Sequence, residues 1–231
     1  MSNLEGKLIV IEGCDRVGKH TQSVLLRDRL KAEGYRVLLL SFPNYGSPQA
    51  KPVEMFLQGG LMNLTPMEIA MLYILDMSVT FREYRAKEFM ENGGVVVCDR
   101  WVTSNLIYQI ARIPEAIPND SATVEGSEER AKMSVKINSI AYRILGLPKE
   151  DMVIYLNMSD DLNNRLLSEE PPEDINEGDL LFLNNVRVMG KLIAERDNWV
   201  TIECDDKRVL FEREVIHNKT WEAILNRLHI E

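Results

Sequence analysis

The chain has 231 residues, 45% of them hydrophobic, which suffices for one well-filled domain and is short for two. A formal charge of −9 argues against a general nucleic-acid binder, because affinity for a phosphate backbone comes from clustered Lys and Arg. Residues 1–7 are polar and unlike a signal peptide, no apolar run approaches the roughly 20 residues that span a bilayer, and the three cysteines form no C-x-x-C pair. The expectation is a soluble, cytoplasmic protein with neither a membrane nor a nucleic-acid partner.

In chain order, short β-branched runs alternate with longer amphipathic patterns. The first run, residues 7–12 (KLIVIE), reads as a buried strand and leads directly into a glycine-containing loop and a helix. Residues 37–42 (VLLLSF) form a second such run. A helix is expected from Thr65, because Thr65-Pro66-Met67-Glu68 offers an N-cap oxygen, a proline at the first helical position and a glutamate that completes a capping box. Its pattern continues to Asn92-Gly93-Gly94, on the order of 40 Å at the standard helical rise. Its methionines, Met67, Met71 and Met77, read as adaptable core packing.

Further strands are expected at 95–99 (VVVCD), 152–156 (MVIYL) and 199–203 (WVTIE), with helix-period segments between them. Strand and helix in regular alternation imply right-handed crossovers and a doubly wound, five-stranded parallel sheet with helices on both faces. Two stretches interrupt the pattern with prolines and small polar residues: 113–128, an irregular insertion, and 168–177 (SEEPPEDINE), the core of a mobile lid at about 166–178. The whole chain, 1–231, is expected to be a single domain.

The loop after the first strand, Gly13-Cys14-Asp15-Arg16-Val17-Gly18-Lys19-His20-Thr21-Gln22, matches G-x-x-x-x-G-K, in the strand, loop, helix order that a phosphate-binding loop requires. Gly13 and Gly18 let backbone N–H groups turn toward phosphate oxygens. Lys19 bridges the β and γ oxygens, and the helix N-terminus adds positive potential. The pattern implies binding of ATP with Mg²⁺ and transfer of its γ-phosphoryl group, with Cys14, Val17, His20 and Thr21 completing the nucleotide side.

Ser or Thr usually follows the lysine to help hold Mg²⁺; here His20 does, and imidazole suits softer metals. The metal then relies on waters, phosphates and Asp99, or on help from Thr21, and His20 reads more readily as a surface or packing residue than as a metal ligand. Asp15 and Arg16 stand between the two glycines. An arginine there can reach the transferring phosphoryl group, and Asp15 can orient the acceptor. Cys14 is a point of oxidation if the helix N-terminus favours its thiolate.

The third strand ends in Asp99-Arg100-Trp101. A carboxylate facing the phosphate loop suits contacts to a metal or its waters, and Arg100 can fork onto a phosphate. Asn105 and Tyr108, three apart on the following helix, share one face.

Taken in order, Glu12-Gly13-x-Asp15-Arg16-x-Gly18-Lys19-x-Thr21-Gln22, Phe42-Pro43-Asn44-Tyr45-Gly46, Leu72-Tyr73-x-x-Asp76, Asp99-Arg100-Trp101 with Asn105 and Tyr108, and Asp174-x-x-Glu177 resemble the thymidylate kinase family. The resemblance covers most of the chain. It implies the nucleotide-kinase fold, conversion of dTMP to dTDP with ATP, and a homodimer. Residue by residue, it implies that Arg100, aided by Tyr45, holds the acceptor phosphate. It further implies that Tyr73 stacks on the base, Phe42 borders the base pocket and Asn105 contacts the base. Tyr108 would pack against C2′, Asp15 would hold the 3′-OH side, and Asp174 and Glu177 would close over the substrate. Of the family's two ways to place a catalytic arginine, loop or lid, this chain carries the loop form, Arg16, and its lid sequence 168–174 has no basic residue. Arg165, just before the lid, either flanks the nucleotide or is a solvated helix arginine.

The chain departs from the family at His20 and at Met77, where the family has an arginine that reads a base carbonyl. Loss of that donor weakens thymine recognition or leaves room for a modified pyrimidine, unless Arg82 or Arg85 reaches back or Met77 simply packs. Two other readings stand beside the leading one. A deoxynucleoside kinase needs a general base near the end of the second strand, where this chain has Ser41-Phe42-Pro43. A nucleotide-binding protein without turnover would fit His20, Met77 and the acidic lid, but not the retention of Arg16 and Lys19.

Overall fold

A computed structural model describes residues 6–61, 63–113, 128–169 and 171–227. Except for its two end residues, the insertion expected at 113–128 lies outside them, as does Glu170 of the expected lid.

Five strands, β1 (Leu8–Gly13), β2 (Val37–Ser41), β3 (Val95–Asp99), β4 (Met152–Asn157) and β5 (Val200–Glu203), form one parallel sheet in the order β2-β3-β1-β4-β5. Each lies within one residue of its expected bounds. β1 and β3 are buried along their whole length, which is why they read as unbroken apolar runs.

Alternate residues feed two cores. On one face Val10, Val96, Cys98 and Tyr155 pack with Met77 of α3 (Pro66–Glu83), Ile107 of α5 (Val102–Ala111) and Met189 of α8 (Leu180–Arg196). On the other, Ile9, Ile11, Val97 and Ile154 pack with Leu26 and Leu30 of α1 (Lys19–Ala32) and Ile216 and Ile224 of α9 (Arg213–Arg227). Helices therefore cover both faces, as a doubly wound sheet requires. α8 lies so close to β4 that a Cβ on Gly190 would sit 2.4 Å from the Tyr155 hydroxyl oxygen.

The long helix expected over 65–92 is two helices. Its start is as anticipated: Thr65 Oγ1 accepts from the Glu68 N–H at 3.3 Å, and the Thr65 N–H donates to Glu68 Oε2 at 2.7 Å. Arg85, however, takes a left-handed conformation (φ 51°) and separates α3 from the short α4 (Ala86–Glu91). The turn carries Ala86 fully into the core, so tertiary burial ends the helix where no Gly or Pro marks it. At 18 residues α3 is roughly 27 Å long, rather than 40.

The remaining helices are α2 (Lys51–Leu57), α6 (Glu128–Asn138), which runs on as a π-helical stretch over Ser139–Ile144, and α7 (Asp160–Glu169). Among the described residues no helix is long and apolar enough to cross a membrane.

This topology locates the site. β1 lies between β3 and β4, with Ile11 opposite Asp99 and Gly13 opposite Leu156. The loop after β1 and the segment after β3 thus emerge side by side at the carboxyl edge, where the direction of winding reverses and open α/β sheets bind ligands.

Candidate active site

Gly13 leaves β1 with φ 151°, and a Cβ there would lie 2.6 Å from the Leu156 carbonyl oxygen, so a side chain would displace the loop from the sheet. The loop then turns through Arg16 (φ 63°) and Gly18 (φ 92°) into α1. Asn163 Nδ2 donates to the Asp15 carbonyl at 2.8 Å, and Arg187 Nη1 holds Asn163 Oδ1 at 2.8 Å. Arg187 is buried and also donates to Asn164 Oδ1 at 2.9 Å, so α7 and α8 brace the loop from behind.

Lys19 is buried. Its Nζ donates to the Cys14 carbonyl at 2.6 Å and lies 3.6 Å from Asp15 Oδ1. Burial and the nearby Arg100 charge push its pKa below the usual lysine value. Cys14 and Val17 are also buried and pack in the core with Ile9, Ile11 and Leu26. Burial raises the Cys14 thiol to about 11, so the condition for a point of oxidation there, a favoured thiolate, is not met.

The segment after β3 turns sharply at Arg100 (φ 68°). Glu12, fully buried, fixes that turn by accepting from Thr103 Oγ1 at 2.6 Å, Ser104 Oγ at 2.8 Å and the Trp101 N–H at 3.3 Å. Arg100 pairs with Asp15 Oδ1 and lies 5.2 Å from the ring centre of Tyr108, whose hydroxyl donates to Asp15 Oδ2 at 2.8 Å. Burial alone would raise the Asp15 pKa. The charges of Arg100 and Lys19, with the hydrogen bonds from Tyr108 and Arg100, outweigh it and hold the carboxyl below the usual range. At the end of β3, Asp99 Oδ2 stands 3.3 Å from His20 Nδ1.

Residues 171–179 fold over these groups. Asp174 Oδ1 accepts from the backbone N–H groups of Asn176 (2.7 Å) and Glu177 (2.9 Å), and the Ile175 N–H reaches the Leu57 carbonyl at 3.0 Å. Arg112 donates to Asn176 Oδ1 while its guanidinium packs 4.2 Å from the ring centre of Phe182. Arg16 extends to the same segment: it donates to Glu177 Oε2 and the Leu166 carbonyl at 3.0 Å each, and to the Pro171 carbonyl at 3.4 Å.

Together they enclose a cavity of about 740 Å³. Fifteen of the anticipated residues line it: Asp15, Arg16, Gly18, Lys19 and His20 on the loop side; Phe42 and Tyr45 from the segment after β2, and Tyr73 and Met77 from α3; Asp99, Arg100, Asn105 and Tyr108; and Asp174 and Glu177. Thr21 is exposed and Arg165 donates to the Arg208 carbonyl at 3.1 Å; neither belongs to the lining.

Met77 is buried among core side chains where it borders the cavity. Arg82 Nε donates to the Ser78 carbonyl at 3.2 Å and Arg85 pairs with Glu88 at 2.5 Å, so neither arginine replaces the missing one. Sequence reasoning missed Arg112, Asn163 and Arg187, which hold the site together over long sequence separations. It also missed Gln109, which follows Asn105 by one helical turn. Gln109 Nε2 donates to Asn105 Oδ1 at 3.4 Å, and its Oε1 is buried with no partner among the described residues.

Comparison with known proteins bears on this arrangement. The profile of the family described as Thymidylate kinase matches residues 11–117. A thymidylate kinase of Mycobacterium tuberculosis is 30% identical over 156 residues, 67% of this chain and 67% of that one. One of Gluconobacter oxydans is 32% identical over 125 residues, 54% of this chain and 58% of its own. The chain thus spans about half to two thirds of the length of the curated relatives it matches. Among solved structures, a thymidylate kinase from Candida albicans superposes with a TM-score of 0.71 at 21% identity, covering 97% of this chain and 94% of that one, a likeness of fold.

Proposed function

This chain belongs to the thymidylate kinase family, and from that premise we propose that it transfers the γ-phosphoryl group of ATP to the phosphate of a pyrimidine deoxynucleoside monophosphate, dTMP foremost. The observation that carries the proposal is a single cavity with Lys19 and Arg16 of a phosphate loop on one side and Arg100, Tyr108 and Tyr73 on the other.

In this reading Lys19 exchanges its contact with the Cys14 carbonyl for the β and γ oxygens of ATP. Arg100 turns from Asp15 toward the acceptor phosphate, with Tyr45 at the rim. One oxygen of that phosphate attacks the γ-phosphorus as the bond to the bridging oxygen breaks, giving ADP and dTDP. Arg16 supports the charge that spreads over the equatorial oxygens. Asp15 takes the 3′-OH side of the sugar, and the Tyr108 ring fills the space at C2′. Tyr73 stacks on the base over Phe42, and the unpartnered Gln109 Oε1, beside Asn105, is an acceptor for the imide N–H. Asp174 and Glu177 belong to a lid that excludes water from the transfer.

The donor set fits a divalent cation such as Mg²⁺ entering with ATP, since the Asp99 carboxylate ends β3 inside the cavity next to the phosphate loop. A cation held there by Asp99 would neutralise charge on the nucleotide's phosphates. Cytoplasmic action suits the three buried free thiols, Cys14, Cys98 and Cys204. We further propose a single catalytic domain that works as a homodimer; Met71 and Leu75, one turn apart on α3 and about half exposed, are apolar surface that pairing would cover.

A second reading, a pyrimidine other than thymine, is favoured by Met77, which leaves a base carbonyl without a charged donor. A panel of dTMP, dUMP, dCMP, UMP, 5-modified dUMPs and thymidine with ATP decides between them. The leading reading predicts the highest kcat/KM for dTMP, and absence of any diphosphate from dTMP would refute it.

A further inference from the structure

We infer that His20 is a ligand to the nucleotide's metal, together with Asp99, and that the site is thereby tuned toward cations that accept nitrogen, such as Mn²⁺ or Co²⁺, over Mg²⁺. The inference rests on the proposed binding of a metal-bound nucleotide at the phosphate loop. His20 occupies the position directly after Lys19, where phosphate loops ordinarily place a hydroxyl that reaches the metal. A hydroxyl is a hard oxygen donor suited to Mg²⁺; an imidazole is an intermediate donor, which the first-row transition ions, Mn²⁺ least among them, accept more readily than Mg²⁺ does.

The geometry agrees with two ligands of one ion. His20 Nδ1 and Asp99 Oδ2 are 3.3 Å apart. Two donors bound at right angles at about 2.1–2.3 Å from an octahedral ion stand about 3.0–3.3 Å from each other. The pair therefore needs little movement to accept a metal, which would take the place of the hydrogen bond between them. Asp99 is largely enclosed at 12% side-chain exposure, whereas His20, at 73%, stands open to the cavity and solvent from which a nucleotide would carry the ion in.

Among the described residues no group of three or more His, Cys, Asp or Glu side chains gathers to hold a metal without the nucleotide. Two protein donors leave the other positions to phosphate oxygens and water, so metal binding should be strongly nucleotide-dependent. Asp15 is occupied by Arg100, Lys19 and Tyr108 and is not needed as a third ligand.

Electron spin-echo spectroscopy of Mn²⁺ bound to the protein with ADP tests this without turnover. The inference predicts ¹⁴N modulation from a directly bound imidazole, converted to the ¹⁵N pattern when the protein carries ¹⁵N-histidine, and lost in His20→Thr. It also predicts that the Mn²⁺ to Mg²⁺ ratio of nucleotide-dependent metal affinity falls about tenfold or more in His20→Thr. Mn²⁺-ADP bound to the wild-type protein with no histidine-dependent modulation would overturn the inference and leave the proposed kinase reaction standing. Failure of Mn²⁺-ADP to bind would overturn both. The wild-type isotope comparison does not depend on the variant folding, and Asp99→Asn, which should weaken metal affinity while retaining the ¹⁴N signal, gives an independent check.

Discussion

Arg16 in the phosphate loop donates to Glu177 in the proposed lid at 3.0 Å, so the cation proposed to act on the transferring phosphoryl group would also fasten the cover over it. The two roles separate by mutation. Arg16→Ala is expected to lower kcat by about 10³-fold, the scale of an arginine that supports the transition state, with little change in KM for ATP. Glu177→Gln keeps the arginine but weakens the latch. It should raise hydrolysis of ATP in the absence of acceptor relative to transfer. Steady-state rates with and without dTMP check both; an Arg16→Ala enzyme within threefold of wild type would exclude the role assigned to Arg16.

The Asp15 carboxyl, held below the usual range by Arg100 and Lys19 against its burial, makes a directional prediction about pH. A depressed carboxyl contributes stability above its unfolded pKa of about 4, and this is lost as pH falls through the folded value. Asp15→Asn leaves Arg100 without its charged partner and should cost about 2 kcal/mol at neutral pH. Urea unfolding from pH 7 down to pH 3 should show the gap between wild type and variant closing below about pH 4. A gap independent of pH would mean that the pairing does not carry the shift.

Tyr108 meets Asp15 through its hydroxyl and Arg100 through its ring, and the ring is the part proposed to exclude a ribose 2′-OH. Tyr108→Phe should therefore retain the preference for dUMP over UMP, losing about 1 kcal/mol of stability with the hydrogen bond. Tyr108→Ala should relax that preference by about tenfold. Relative kcat/KM values for the two nucleotides, with thermal unfolding of both variants, check this.

Met77 borders the cavity with neither Arg82 nor Arg85 reaching back over it. Met77→Arg should restore a donor to the base carbonyl and raise the ratio of kcat/KM for dTMP over dCMP by about tenfold. An unchanged ratio in a folded variant would mean that the base does not lie over Met77.

What the sequence made legible follows from which interactions are local. Buried parallel strands appear as apolar runs because both faces are covered, and the phosphate loop and the Thr65 cap are built within ten residues, so their patterns survive in one dimension. The end of α3 was hidden because the left-handed turn at Arg85 answers to the burial of Ala86 in the core. Asn163 braces the loop across 148 residues of chain, Arg187 holds Asn163 across a further 24, and no motif announces such contacts. The substitution at Met77 was plain from its neighbours in order, but only three dimensions could exclude Arg82 and Arg85 as its replacements.

In the proposed reaction one cavity passes a phosphoryl group from ATP straight to a nucleotide's phosphate. Incubation with γ-³²P-labelled ATP, dTMP and a divalent cation, followed by chromatography of the products, tests this transfer. One labelled dTDP is expected for each ADP, with the label in its β-phosphate. Label recovered only as inorganic phosphate, or transferred to thymidine but not to dTMP, would contradict it.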